Sequence, residues 1–416
     1  MCYDKKALLS HKAVVVEASR CLLCYDAPCS KACPAGTNPE KFIRSLRLKN
    51  IRGAAETIRQ ANILGGVCAL VCEYDKLCEE ACSNTAIDKA INIGGIQAYI
   101  IEQERIMNQV SLKKEVSTDL KVACIGAGPA SIACAAYLVV KGVQVTIFDK
   151  NEKPGGVLTY GICPSRLSQD VIDYDIGHLK QLGVKFEQNI CFGKDFSISE
   201  LKQAGFMAIF FGLGLWQSKK IEIPGITAEN VYDALNFLYL INTNLMCSIA
   251  GLNVIVIGGG DVAMDCALAA KNNGAENVTI LYRRSLPESP ACSEQKKSIQ
   301  LCGINFISNF IPKEIHQKDN KVVSLSATGR DNYSTLNIKA DIVVYAIGQT
   351  NETDFGKDND RVKLLINKHD LSKEGLFAGG DMLNGGKSVV QAVADGKEKA
   401  KEIYAYLLEK EKKDVI

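Results

Sequence analysis

The spacing of apolar positions changes character about a quarter of the way along the chain. Up to about residue 110 it is helical. Phe42, Ile43 and Leu46 recur at helical intervals within Pro39–Arg59, and Ile87–Met107 reads as a second helical stretch. The polar and charged segment Asn108–Asp119 predicts a linker. Beyond it, short apolar runs alternate with helical stretches, the texture of βαβ units.

Two of those units repeat one pattern. The apolar run Lys121–Ile125 leads into Gly126-Ala-Gly128-Pro129-Ala-Ser131, a helical stretch to Lys141, and a second strand over 143–148 ending in Asp149. Later, Asn253–Ile257 leads into Gly258-Gly-Gly260-Asp261-Val-Ala263, a helix to about Asn273, and a strand over 278–281 followed by Tyr282-Arg283-Arg284. A lone glycine-rich turn is weak evidence. Two copies, each closing a strand and opening a helix, point to two dinucleotide sites. Glycine lets backbone approach a pyrophosphate, which sits at the positive helix N-terminus. In the first turn Gly126 and Gly128 serve this purpose, and Ser131 is small enough for close helix–strand packing. Asp149 stands where an acid accepts hydrogen bonds from a ribose. In the second turn Gly258, Gly260 and Ala263 fill the equivalent places. Here Arg283 and Arg284 replace the acid, and arginine can pair with a 2′-phosphate, which favours NADP(H) over NAD(H).

Composition sharpens this picture at one point, cysteine. The chain has 416 residues, 23% charged and 47% hydrophobic, with a net charge of +2. That size fits two or three domains, and that charge gives no case for nucleic acid or an anionic membrane as main partner. No apolar run reaches spanning length, and Met1–Lys6 lacks an apolar signal core, so a cytoplasmic protein is expected. Seventeen cysteines are unusual in a reducing compartment, where disulfides are rare. Cys2 and eight residues from Cys124 to Cys302 are scattered and expected to be mostly small buried apolar residues. The other eight form two groups: Cys21-x2-Cys24-x4-Cys29-x3-Cys33-Pro34 and Cys68-x3-Cys72-x5-Cys78-x3-Cys82.

An iron–sulfur cubane needs four ligands per cluster, and a cysteine before proline commonly serves the second cluster. The spacing therefore predicts Cys21, Cys24, Cys29 and Cys82 on one [4Fe–4S] cluster, and Cys33, Cys72 and Cys78 on another. By spacing alone Cys68 completes the second set. Cys68/Cys72 and Cys78/Cys82 are each at i,i+4, so each pair would share a helix face. Structural zinc favours repeated Cys-x2-Cys pairs, and only one occurs. The four histidines, His11, His178, His316 and His369, are far apart in sequence and support no histidine site.

Near the C-terminus Leu376-Phe-Ala-Gly379-Gly-Asp381 reads as a strand running into the ribityl–phosphate chain of a flavin, which would complete a split first domain. Pro154-Gly155-Gly156 could approach the same flavin. Ala346–Gln349 and Phe211–Gly214 read as crossover connections. The expected domains are 1–110, helical with two clusters; 118–235 with 350–416, binding FAD; and 236–349, binding NAD(P)H. The fold class is α/β, an all-helical iron–sulfur domain followed by two Rossmann-like domains, with the NAD(P) domain inserted in the FAD domain.

From about Ala18 onward the chain resembles the pyridine-nucleotide-disulfide-oxidoreductase-like flavoproteins that carry an N-terminal ferredoxin-like helical domain. That family includes the small subunit of glutamate synthase and the N-terminal half of dihydropyrimidine dehydrogenase. The likeness lies in Glu17–Cys29, Cys33-Pro34-Ala, Phe42–Arg47, Gly53–Arg59, Ile91–Gln97 and Gly258–Asp265. The resemblance implies that Gln97, rather than Cys68, is the eighth cluster ligand. It also implies electron input: hydride from NAD(P)H to FAD, single electrons to the clusters, and uracil or thymine reduced on a separate FMN-containing barrel subunit with further clusters. Cys163 replaces the usual proline, and Leu-Ser follows Arg166 where Leu-Pro is usual. The arginine pair is more like that of NADPH-using glutamate synthase subunits. Other readings are such a subunit itself, an NAD(P)H:ferredoxin-type oxidoreductase, and a zinc-stapled nucleotide-sensing module.

Overall fold

The structure is a computed structural model that describes residues 8–108 and 112–414; Cys2 and part of the expected linker, 109–111, lie outside them. The chain divides into two compact units. One comprises the N-terminal helices through Thr159, Gln169–Leu215 and Asn351 to the C-terminal helix; the other comprises Tyr160–Ser168 and Trp216–Thr350.

The first unit begins with the helices His11–Ser19, Pro28–Lys31, Pro39–Arg47, Ile51–Ala61, Gly65–Val71 and Ile93–Ile106. The expected helical stretch from Pro39 is two helices. Lys49 takes a positive φ of 60°, and Asn50 starts the second helix by accepting the Gly53 N–H at 2.9 Å. Cys68 lies on Gly65–Val71 with Cys72 at its C-cap, whereas Cys78 and Cys82 lie in turns, so only the first pair has the helical setting the spacing suggested.

The same unit holds a five-stranded parallel sheet in the order Leu376–Ala378, Ala208–Phe211, Lys121–Ile125, Gln144–Phe148, Lys185–Glu187. Its outermost strand comes from near the C-terminus, so the sheet is assembled from both sides of the intervening unit in sequence. The helix Pro129–Val140 follows the central strand and is buried along nearly its whole surface, with the C-terminal helix Val389–Asp414 packed on it.

An ionic group joins the helices of this unit at zero exposure. Arg59 donates from Nε to Glu104 Oε2 at 2.9 Å and from Nη1 to Asp175 Oδ1 at 2.6 Å and to the Ile63 carbonyl at 2.5 Å. Asp175, on the helix Gln169–Leu182, also accepts the Val67 N–H at 2.8 Å and so caps the helix that carries Cys68.

The second unit repeats the sheet design: Val231–Asp233, Ile342–Tyr345, Asn253–Ile257, Asn277–Tyr282 and Asn305–Ser308, all parallel. A three-stranded antiparallel sheet, Phe310–Lys318, Lys321–Gly329 and Thr335–Lys339, is added to it in sequence. The segment Tyr160–Ser168 is built into this unit. Tyr160 stacks on Tyr239 with centroids 5.2 Å apart, Asn242 Nδ2 donates to the Ile162 carbonyl at 2.9 Å, and Arg166 pairs with Asp265 at 2.8 Å. Among the described residues no helix is long and apolar enough to cross a membrane.

Candidate cofactor sites

Among the described residues, six helices start with a side-chain cap, from Ser10, Asn38, Asn50, Asn92, Ser197 or Asp233. The two dinucleotide helices do not. Pro129–Val140 and Asp261–Asn272 begin after Gly128 and Gly260 with no side-chain cap. An uncapped first turn leaves N–H groups to be satisfied by a ligand, and an anion fits there.

Backbone crowding explains the glycines of the first turn. Gly126 has φ of 90°, and a Cβ there would lie 2.7 Å from the Gly212 carbonyl oxygen. A Cβ on Gly156 would lie 2.9 Å from Gly128 Cα, and Gly155 N–H donates to the Ala127 carbonyl at 2.8 Å. The two glycine loops therefore meet backbone to backbone, while Gly128 itself faces open space: its Cβ would meet only the Gly212 oxygen at 3.9 Å. Ser131 is fully buried against Gly212, the close packing its size suggested. Gly380, with Gly379 beside it at the end of Leu376–Ala378, packs on Ala130 of the same helix turn. Thus Gly126, Gly128, Pro129, Ser131, Gly155, Gly156 and the Gly379–Asp381 segment are gathered at one helix N-terminus, a backbone-lined cradle open at Gly128.

Two acids border this cradle. Asp149 accepts the Ala127 N–H at 2.6 Å and the Asn151 N–H at 2.7 Å, one on each carboxylate oxygen. It holds the glycine turn in shape, and each oxygen keeps a second lone pair. Burial pushes its pKa up, against those hydrogen bonds. Asp381 starts the short helix Asp381–Asn384; burial pushes its pKa up to about 6, with the Lys387 N–H opposing and Asp395 adding to the rise.

In the other unit, Gly258 has φ of 148°, and a Cβ there would lie 2.4 Å from the Ala346 carbonyl oxygen and 3.3 Å from the Ala263 Cβ. Gly259 lies against the Tyr282 ring and its carbonyl accepts from Ser289 Oγ at 2.5 Å. Gly260 faces open space. Asp261, predicted as a nucleotide-side residue, accepts the Cys292 N–H at 3.0 Å and so ties the turn to the next loop. Arg283 and Arg284 follow the strand Asn277–Tyr282 and are exposed.

The electrostatic influence of the thiols on one another falls largely within two groups, with Cys29 and Cys78 linking them. Cys21 feels Cys82 and Cys24, and Cys29 feels Cys82 and Cys21. Cys72 feels Cys78 and Cys33, Cys68 feels Cys72 and Cys33, and Cys78 feels Cys33 and also Cys29 of the first group. Burial is the main reason the thiols sit high; it pushes Cys29 up to about 11 and Cys68, Cys72 and Cys78 higher still. Grouped, half-buried thiols that destabilise each other's anions are a donor set that positive iron completes. Among the described residues no three metal-binding side chains stand close enough to share a single ion. All the described cysteines are free thiols, and six of the scattered ones are buried; Cys191 is half-buried and Cys247 exposed.

Gln97 and Cys68 occupy different settings. Gln97 is buried on Ile93–Ile106 and donates from Nε2 to the Gly65 carbonyl at 2.7 Å, which leaves Oε1 as the atom an iron would take. Gly94 allows this helix to lie against Tyr74, whose hydroxyl donates to the Cys68 carbonyl at 2.5 Å; a Cβ on Gly94 would sit 2.5 Å from the ring. Cys68 Sγ accepts from Asn62 Nδ2 at 3.2 Å.

Sequence reasoning missed Gly396. A glycine inside the 26-residue helix Val389–Asp414 was a signal, because it weakens a helix by about 1 kcal/mol relative to alanine. Its reason is contact: a Cβ there would lie 2.1 Å from the Ala130 carbonyl oxygen.

Two families match the chain: residues 3–109 match "Dihydroprymidine dehydrogenase domain II, 4Fe-4S cluster" and residues 120–396 match "Pyridine nucleotide-disulphide oxidoreductase". An NAD-dependent dihydropyrimidine dehydrogenase subunit PreT homolog of Salmonella typhi is 38% identical over 95% of this chain and 94% of its own length. The chain belongs to the PreT family. Escherichia coli (strain K12) PreT is 37% identical over 94% of each chain. Among solved structures, Mycobacterium tuberculosis FprA superposes with a TM-score of 0.61 at 15% identity, covering 71% of this chain and 86% of FprA. Thioredoxin reductase of T. acidophilum gives 0.53 at 19% identity, covering 68% and 97%. These two share the fold of the nucleotide-binding units. As a PreT-family member the chain is an NAD(P)H-dependent oxidoreductase that binds FAD and carries 4Fe–4S iron–sulfur.

Proposed function

We propose that the chain is the electron-input subunit of a cytoplasmic dihydropyrimidine dehydrogenase, serving a partner subunit that reduces uracil or thymine at an FMN in a barrel with further clusters. The supporting observation is the sharing of one compact unit by both cysteine sets and the uncapped glycine cradle of the first turn, with a second such turn in the other unit. The described sheets are open and five-stranded or smaller, and none is a barrel for a pyrimidine. The relatives' names as subunits point the same way.

In this reading Gly126, Gly128, Pro129, Ser131, Asp149, Gly155, Gly156, Gly379 and Asp381 hold FAD, which supplies the change from two-electron to one-electron transfer. Gly258, Gly260, Asp261, Ala263, Arg283 and Arg284 hold the nicotinamide nucleotide. The uncapped N–H groups of Pro129–Val140 and Asp261–Asn272 bind the two pyrophosphates, and Asp149 keeps the first turn open. Cys21, Cys24, Cys29 and Cys82 hold one cluster; Cys33, Cys72, Cys78 and Gln97 hold the other. The tie from Asn62 to Cys68 Sγ favours Gln97 as the eighth ligand. Replacing Cys68 with serine should leave both cluster EPR signals, and Gln97→Leu should alter one; the reverse result would reassign the ligand.

The purified chain alone should reduce viologen or ferricyanide with NAD(P)H and leave uracil unchanged. Adding the FMN-barrel partner should restore uracil reduction. Uracil reduction by the chain alone would overturn the division of labour.

A further inference from the structure

The C-terminal helix Val389–Asp414 touches both halves of the first unit through two successive residues. Gly396 lies against the Ala130 carbonyl in the first turn of Pro129–Val140, the turn assigned above to the flavin pyrophosphate. The next residue, Lys397, reaches the other way. Its Nζ donates to the Ala35 carbonyl at 2.7 Å and to the Ala61 carbonyl at 2.5 Å. Ala35 lies in the turn that starts at Cys33, where Gly36 N–H donates to the Cys33 carbonyl at 2.9 Å. Ala61 ends the helix Ile51–Ala61, whose C-terminal carbonyls carry partial negative charge.

Among the described residues no carboxylate stands within ion-pair distance of Lys397; both its acceptors are neutral carbonyls. Cys33 lies two residues before Ala35, in the turn that Lys397 holds. Burial lowers the Lys397 pKa, Lys401 adds to that and Cys33 opposes both. A half-buried ammonium with two carbonyl partners and no carboxylate is poorly explained by helix packing alone, because desolvation of the charge is offset only in part.

We propose that Lys397 is a positioning residue for electron transfer: it clamps the Cys33 turn to the flavin-side helix, and its charge raises the reduction potential of the cluster on Cys33, Cys72 and Cys78. This rests on the ligand and flavin assignments made above. Adding one electron to that cluster adds one negative charge near the Lys397 ammonium. Net charge and surroundings set iron–sulfur potentials, and a nearby cation favours the reduced form. The electron comes from flavin reduced by the nicotinamide nucleotide, two electrons per hydride, released one at a time.

The test is an EPR-monitored redox titration of the holoprotein carrying Lys397→Met, with Lys397→Arg as the charge-conserving control. In Lys397→Met the ratio of reduced to oxidised cluster at fixed potential should fall about tenfold for the Cys33-set signal, which is about 59 mV for one electron. The other cluster should be unchanged, and Lys397→Arg should restore the wild-type value. Iron and FAD content, measured on the same samples, separates this inference from the assignments it rests on: a wild-type protein without clusters defeats those assignments. A fully loaded Lys397→Met protein with both potentials unchanged, or with both lowered equally, defeats the role of Lys397 alone. Should Lys397→Met not hold the cluster, Lys397→Gln keeps a donor for Ala35 without the charge. Loss of the cluster in both neutral variants but not in Lys397→Arg supports the charge requirement; loss in Lys397→Arg as well overturns it.

Discussion

Replacing Arg59 with leucine should weaken the first unit far more than the loss of a surface ion pair would. Arg59, Glu104 and Asp175 have no exposed side-chain surface, and Arg59 is the cation facing both carboxylates. Its removal takes from two buried acids the guanidinium they share and from the Ile63 carbonyl that donor. Breaking a buried pair from one side costs about 3–5 kcal/mol. At about 2–4 °C per kcal/mol for a unit of this size, Tm should fall by about 6–20 °C. The pH dependence has a definite sign. Burial already raises the Asp175 pKa, and Arg59 is its main opponent. Without Arg59 the folded-state pKa rises further. Its contribution to stability is then full below the unfolded pKa and is lost as pH rises through the folded one. The gap between wild type and variant should therefore widen with increasing pH. Far-UV circular dichroism and loss of the visible cluster absorption should report the same shift. The triple variant R59L/E104L/D175L should recover much of the loss, since apolar replacement of a whole buried ionic group is often neutral. A Tm change below about 2 °C, or a triple variant melting below Arg59→Leu, would refute the reasoning.

Gly258→Val, which places a side chain 2.4 Å from the Ala346 oxygen, should retain FAD while its reduction by NAD(P)H, followed by stopped-flow absorbance, slows at least about a hundredfold; dithionite should still reduce it at the wild-type rate. Burial holds the Asp381 carboxyl at about 6, above the ordinary aspartate range near 4. The stability that this group contributes is present below about pH 4 and lost by about pH 6. Urea titration of flavin-depleted protein should show Asp381→Asn more stable than wild type above pH 6, with the two converging near pH 4. Charge reversal at Arg283 and Arg284 together should lower the NADPH to NADH ratio of kcat/KM about 10–100-fold, the worth of one or two charge-assisted hydrogen bonds.

The two βαβ units were legible because their signals are local. Apolar strands, glycines needed for backbone approach, and the acid or arginine at the next strand end all fall within about thirty residues. The cysteine groups were legible for the same reason: each falls within about fifteen residues of sequence. Cys78 and Cys82 show the limit, because their i,i+4 spacing implied a helix and they lie in turns. The break at Lys49 was hidden, since a positive φ at a lysine carries no compositional signal. Tyr160–Ser168 could not be placed from sequence either. Its membership of the second unit depends on Tyr239, Asn242 and Asp265, at least seventy residues downstream. The antiparallel strands Phe310–Lys339 went unread amid weakly alternating residues. Arg59 and Asp175 are separated by 116 positions, and only the fold brings opposite charges together at that range.

Metal and flavin analysis of anaerobically purified holoprotein bears most directly on the whole account. It should give about eight iron atoms and eight acid-labile sulfides per chain, two cubanes' worth, together with one FAD. Protein that is rich in zinc, poor in sulfide, or free of flavin after such preparation would contradict it.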